Sequence, residues 1–182
     1  MRVEIQTPRL HLQLFRLQDL DDLFLIRCDA EVMRFITGMP STREQALAAL
    51  TKHLNRWQTH GFGHWAVRFK GDPMLLGWCG LDFLDTTPEI EVGYGLARSH
   101  WGLGISTEAA RASLEYGFRN LHLERIVAVA YPENTASRHV MEKLGMKYVK
   151  NGYYYGGDLV YYEIRRADFP VSASNRILRD NS

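Results

Sequence analysis

Apolar and polar residues alternate at residues 10–15. Leu10, Leu12 and Leu14 are separated by His11 and Gln13, the period-two pattern of a half-buried strand. The period lengthens over residues 19–29, where Leu20, Leu23, Phe24 and Ile26 recur at helical spacing. Ser41-Thr42-Arg43-Glu44 is a capping-box pattern. It predicts a second helix through Ala46, Leu47, Leu50, Leu54 and Trp57, ending near Gly61. Three strands are expected next, at 64–69, 74–83 and 89–96, with Gly71-Asp72 as a turn between the first two. A helix from about 106 to 121 carries Ala109, Ala110, Ala112, Ser113 and Gly117 as a face of small residues. Residues 125–130 form a buried strand, and 134–144 a short helix stopped by Gly145. The segments 147–155 and 159–166 read as a hairpin around Gly156-Gly157-Asp158.

The resulting order, β-α-α-β-β-β-α-β-α-β-β, is an α/β layout of the α+β type with a mixed sheet. Three strands in a row exclude a repeated βαβ fold. No repeat, low-complexity block or linker divides the chain. Residues 1–170 are expected to form one domain. The chain is polar from 167 onward and reads as irregular, with 171–182 as a tail.

Composition narrows the classes. The 182 residues are 46% hydrophobic and 24% charged, which is globular, and the formal net charge of +1 gives no footprint for direct nucleic-acid binding. The opening MRVEIQTPRL is not a signal peptide, and no apolar run reaches the ~20 residues of a membrane span. Cys28 and Cys79 have no metal spacing and apolar neighbours, so both are expected to be buried free thiols in a reducing, cytoplasmic setting. The histidines show no ligand spacing, and no metal is expected.

Candidate chemistry centres on Trp101-Gly102-Leu103-Gly104-Ile105-Ser106-Thr107-Glu108, between a strand and a helix. The glycines permit unusual backbone angles and close approach. The helix start offers free N–H groups and the positive end of its dipole, the ingredients of a pyrophosphate site. Two glycines fit a plain packing turn equally well. The segment lacks the Gly-Lys-Ser/Thr end of a P-loop and the third glycine of a dinucleotide fingerprint.

Here the chain resembles the GNAT superfamily of acetyltransferases, in particular its RimJ/RimL-like branch, the ribosomal-protein N-terminal acetyltransferases and their relatives. The loop is similar to that branch's W-G-x-G-x-A-x-E-A, with Ser106 in place of Ala. The likeness continues in order through Thr7-Pro8-Arg9-Leu10, Gly77-Trp78-Cys79-Gly80-Leu81, Glu91-Val92-Gly93-Tyr94, Asn134-Thr135-Ala136-Ser137 and Glu142-Lys143-Leu144-Gly145-Met146.

The resemblance implies a GNAT fold with six to seven strands, splayed at the acyl-CoA site, and about four helices. It implies acetyl-CoA as co-substrate and a primary amine as acceptor. The pyrophosphate would be held by Trp101, Gly102, Leu103, Gly104, Ile105, Ser106 and Thr107, and the pantetheine arm by Gly95, Leu96, Ala97, Asn134 and Ser137. Asn134 also suits a helix N-cap. Glu91 is the candidate base, with Glu89 on the same strand face. Many members place an acidic Tyr where this chain has Met141, so Ser137 is the candidate proton donor, as in the branch. Phe62 and Trp65 are candidates for lining the acceptor site, although ordinary strand packing explains them as well. Three readings follow: acetylation of a protein N-terminal amine, acetylation of a small amine, or a CoA-binding sensor without catalysis. The oligomeric state is expected to be monomer or homodimer.

Overall fold

The computed structural model describes residues 2–170 and 175–180. In chain order the main elements are β1 (Arg2–Gln6), β2 (Leu10–Gln13), α1 (Leu20–Arg27), α2 (Ala30–Met33), α3 (Arg43–His60), β3 (His64–Phe69), β4 (Gly77–Phe83), β5 (Ile90–Leu96), α4 (Ile105–Arg119), β6 (Arg125–Ala130), α5 (Thr135–Lys143), β7 (Lys147–Tyr154), β8 (Gly157–Arg165) and β9 (Arg176–Asp180). The strands form one sheet in the order β7-β8-β6-β5-β4-β3-β2-β1-β9. Neighbours are antiparallel except β5 and β6, which are parallel and share the single register pair Glu91↔Val127.

Among the described residues there are nine strands and five α-helices, more than the six to seven and about four expected. β1 escaped notice because only Val3 and Ile5 turn inward from a charged segment. β9 lies in the stretch expected to be irregular. It is specified by pairing with β1, Ile5 opposite Ile177, a contact no local pattern reveals. Residues 171–174 and 181–182 of the expected tail lie outside the described residues. The extra helix, α2, is one short turn whose N-terminus is capped by Asp29 accepting from Glu31 N.

The α3 capping box is one residue later than expected: Thr42 Oγ1 accepts from Gln45 N, and Gln45 Oε1 accepts from Thr42 N at 2.8 Å. Gly61 ends the helix at φ 69°, as a left-handed C-cap. Leu23 and Ile26 of α1, Val32 and Met33 of α2 and Leu50 of α3 bury a cluster against Ala66 and Trp78. The larger core contains the inward residues of β1–β6 and the small-residue face of α4. That face has a steric reason. A Cβ at Gly117 would meet Ile126 Cδ1 at 2.5 Å, so a larger residue there would make the Ile126 side chain shift. Cys79 is buried as expected, but Cys28 is exposed at the end of α1. It follows the helix rather than the core, its Sγ bonded back to Leu25 O.

Candidate functional site

The glycine loop leads directly into α4. Gly102 and Gly104 adopt φ of 76° and 75°, the left-handed region. Gly104 is the N-cap, and no side chain caps the helix; the first ladder bond is Glu108 N to Gly104 O. The N–H groups of Ile105, Ser106 and Thr107 thus precede the first intrahelical bond, at the positive end of a 15-residue helix. Ile105 is buried and anchors this turn, while Trp101 and Leu103 stand exposed at the lip. The Trp101 indole N–H donates to Leu96 O at 2.9 Å, tying the loop to the end of β5.

A second fastening joins two motifs that the sequence shows only separately. Glu108, in the first turn of α4, accepts from Thr7 Oγ1 (2.5 Å), Arg9 N (3.0 Å) and Arg9 Nε (2.6 Å). Arg9 also donates to Leu103 O at 3.0 Å. Burial alone would raise the Glu108 pKa; the bonds from Thr7 and Arg9 outweigh it and hold the carboxyl below its usual range. The Thr7-Pro8-Arg9-Leu10 turn therefore fixes the loop from the far end of the chain.

β5 carries the open edge. Ala97 N donates to Leu76 O at 2.8 Å, so the antiparallel ladder to β4 takes alternate residues: Ala97, Gly95 and Gly93. Tyr94 and Leu96 consequently turn their peptide groups toward β6. Beyond the pair Glu91↔Val127 the two strands share no further register, so these groups face a gap. This corrects the expected pantetheine set. Gly95 uses its peptide groups on the β4 side, Ala97 gives its N–H to Leu76 O while its C=O accepts from His100 N at 2.9 Å, and Tyr94 and Leu96 are the residues turned to the gap. Gly95 has another role: a Cβ there would lie 2.4 Å from the Trp78 ring.

Glu91 lies partly buried at the point where the strands part. Burial pushes its carboxyl up to about 7, helped by Asp82 and Asp85 and opposed by the Tyr155 hydroxyl, which donates to it, and by Lys52. Glu89 is engaged elsewhere, accepting from Arg125 Nη2 (2.5 Å) and from the Tyr161 hydroxyl (2.7 Å). Glu91, with its raised carboxyl, is the one of the two that stands beside the gap.

Across the gap, α5 begins. Asn134 Oδ1 accepts from Ser137 N at 3.1 Å, so Asn134 is an N-cap. Ser137 Oγ lies 3.0 Å from the Tyr94 hydroxyl, which also donates to Ser137 O at 3.2 Å. Tyr94 was not among the candidates, although it stands in the Glu-Val-Gly-Tyr run. Burial raises its phenol above the ordinary value, partly offset by the bond with Ser137. Met141 is 1% exposed and belongs to the core.

Trp65 does not line an acceptor site. It is fully buried on the α4 side, its indole donates to Val3 O at 2.8 Å, and its ring packs against Trp57 and Tyr116. Phe62 is likewise enclosed, next to Phe83 and His60. The strand period assigns the opposite face to His64, whose Nε2 would lie 2.9 Å from a Cβ on Gly93. Burial lowers His64 to about 4, against the opposing pull of Asp82, so its ring is neutral at pH 7. Among the described residues no group of three or more His, Cys, Asp or Glu side chains is arranged to hold a metal ion. No described helix is long and apolar enough to cross a membrane.

The α4 start, the open edge of β5 and the α5 start are thus joined by two contacts, Trp101 with Leu96 O and Tyr94 with Ser137. The chain is similar to known proteins. The model for the acetyltransferase (GNAT) domain matches residues 9–147. The uncharacterized N-acetyltransferase p20 of Bacillus licheniformis is 31% identical over 145 residues, covering 79% of this chain and 82% of its own length. A GNAT-family acetyltransferase structure from Bacillus anthracis superposes with TM-score 0.79 at 27% identity, covering 90% of this chain and 99% of that one. Mycobacterium smegmatis RimJ, in complex with CoA-disulfide, has the same fold at TM-score 0.76 and 21% identity, with 96% and 91% covered. The chain belongs to the GNAT family of acetyltransferases, with the RimJ-like proteins among its structural neighbours.

Proposed function

We propose that this enzyme transfers the acetyl group of acetyl-CoA to a primary amine, with Glu91 as base and the Ser137–Tyr94 pair at the leaving group. The observation that carries the reading is the strand gap. Glu91 stands at its closed end, the Ser137 hydroxyl on its far wall, and the glycine loop with the α4 start at its mouth. Acetyl-CoA supplies an activated acyl thioester, and the chain's residues do the rest.

Ile105, Ser106 and Thr107 N–H groups hold the phosphates. The Tyr94 peptide groups and the Leu96 N–H pair with the pantetheine amides as an added strand would, and the Asn134 amide reaches the same arm. This lays the thioester between Glu91 and Ser137. An ammonium ion cannot attack, so Glu91 takes a proton from the acceptor, directly or through one water. A carboxyl poised at about 7 is matched to that transfer at neutral pH. The Ser137 hydroxyl, oriented by Tyr94, donates to the departing sulfur, the service that a tyrosine at position 141 performs in many relatives.

The hydroxyl pair also argues against a silent CoA sensor. Met141 removes one donor, but Tyr94 and Ser137 present two others at the same wall. The acceptor is a protein N-terminal amine or a small amine, and the enzyme acts as a monomer or homodimer. Purified protein is assayed for thiol release from acetyl-CoA with peptides beginning Ala or Ser, polyamines, amino acids and aminoglycosides. Turnover with one class assigns the acceptor. Tight CoA binding without release for any amine would overturn catalysis.

A further inference from the structure

We propose that Tyr155 is a positioning residue for Glu91: its hydroxyl, seated by a two-way lock with Asp85, aims the carboxylate and favours its charged form. The inference rests on the reading of Glu91 as base.

Tyr155 sits in the turn between β7 and β8, far from Glu91 in sequence. Its hydroxyl donates to Glu91 Oε1, lies 3.3 Å from Phe83 O, and accepts from Asp85 N at 2.8 Å. In return, Tyr155 N donates to Asp85 Oδ2 at 3.0 Å. Both residues occupy the left-handed region, Tyr155 at φ 51° and Asp85 at φ 49°. For a bulky aromatic this is a strained conformation, and it persists only where surrounding contacts over-determine it. The reciprocal bonds between the β4–β5 connection and the β7–β8 turn provide that determination. Core packing does not, because Tyr155 is 49% exposed.

The hydroxyl has one proton and two acceptors within reach. A carboxylate is the stronger acceptor, and the bond from Asp85 N polarises the O–H toward it. Tyr155 itself stays protonated while Glu91 titrates, since burial and the neighbouring Glu91 charge both raise its phenol. The charged and titratable groups facing Glu91 are Asp82 from β4, Asp85 from the β4–β5 connection, Lys52 from α3 and Tyr155 from the β7–β8 turn. From β6 the register partner is the apolar Val127. Tyr155 and Lys52 are the groups in this set that favour the anion, and Lys52 is held by Asp82 at 3.0 Å.

The direct test needs no acceptor. The carboxyl carbon of Glu91 is followed by NMR across pH in the full chain, with the signal assigned by its loss in Glu91→Gln. Wild type is expected to titrate near 7, and Tyr155→Phe about one pH unit or more higher, the loss of one hydrogen bond to a charged group. Asp85→Asn keeps an oxygen for Tyr155 N but removes a negative charge, so its midpoint stays or falls. An unmoved midpoint in folded Tyr155→Phe overturns the proposal. Should that variant not fold, the wild-type Tyr155 Cζ shift carries the test: an inflection at the Glu91 midpoint supports the contact, and none refutes it.

With any amine the enzyme accepts, the acid limb of kcat/KM moves with the same midpoint. Activity at pH 7 falls about five-fold and recovers by pH 9, while KM for acetyl-CoA is unchanged. An acid limb that survives in Glu91→Gln overturns the base itself, and with it the service assigned to Tyr155, even where the carboxyl titration has shifted.

Discussion

Replacing Glu108 by Ala tests whether the glycine loop is held from the far end of the chain. Three donors lose their acceptor: the buried Thr7 hydroxyl, Arg9 N and Arg9 Nε. The Arg9 side chain is 47% exposed, so its ion pair contributes at most about 1 kcal/mol. The Thr7 hydroxyl and the backbone N–H each donate to a charged acceptor, at roughly 1–1.5 kcal/mol net in this part-exposed setting. The expected loss is about 3 kcal/mol, which lowers Tm by about 6–12 °C in a chain of this length. Glu108→Gln keeps one acceptor oxygen and is expected to lose about half as much.

The sign of the pH dependence follows from the lowered Glu108 carboxyl. Its stabilisation is complete above the ordinary carboxylate pKa of about 4.3 and fades as pH falls through the folded value. The Tm gap between wild type and Glu108→Ala is therefore constant from pH 6 to 8 and closes in acid. Freed from Glu108, Arg9 also holds Leu103 O less firmly, so CoA affinity by calorimetry drops several-fold. Thermal unfolding by circular dichroism gives the Tm. A drop under 2 °C, or a gap that does not narrow as pH falls, would falsify the fastening.

Three other outcomes are expected. Gly104→Glu strains a left-handed residue and brings a carboxylate to the phosphate cradle, so CoA binding weakens at least ten-fold, while Gly104→Asn, which tolerates that conformation, stays near wild type; equal affinities by calorimetry would remove the phosphates from this loop. Glu91→Gln abolishes the acid limb near pH 7 in kcat/KM, and its deficit shrinks toward pH 10 as the acceptor amine loses its own proton; a profile like wild type would dismiss Glu91 as base. Ser137→Ala lowers kcat about ten-fold or more with KM for acetyl-CoA little changed, and Tyr94→Phe does part of the same through lost orientation; a rise in KM alone would make Ser137 a binding residue instead.

Much of this molecule is written locally. The central strands, the small face of α4 and the glycine cap at Gly61 each announce themselves within a few residues, because a two- or 3.6-residue period records which side is buried. β1 and β9 do not, since β9 is held by its pairing with β1 and β1 lies between β9 and β2, and no window contains both Ile5 and Ile177. The site divides in the same way. The proposed phosphate cradle is a local object, legible as glycines before a helix. The contacts that tune the chemistry join distant positions, Thr7 with Glu108, Tyr94 with Ser137, and Tyr155 with Glu91. The Trp65 error was one of parity: residues 64 and 65 take opposite faces, and a short mixed strand does not reveal which face belongs to the core. Gly95 and Ala97 failed for a related reason, because which peptide groups face the gap depends on the register with β4.

Of the four tryptophans, Trp65 and Trp78 are buried and Trp57 is partly buried, whereas Trp101 is 47% exposed at the lip of the phosphate cradle. Its indole is fixed by the bond to Leu96 O while its ring remains in water. The chain thus carries an intrinsic optical reporter at the mouth of its groove. Emission collected at the long-wavelength edge favours this water-exposed ring over the three less exposed ones. A cofactor settling on the loop changes the ring's hydration, so occupancy can be read in real time on unlabelled protein, separately from any event at Glu91.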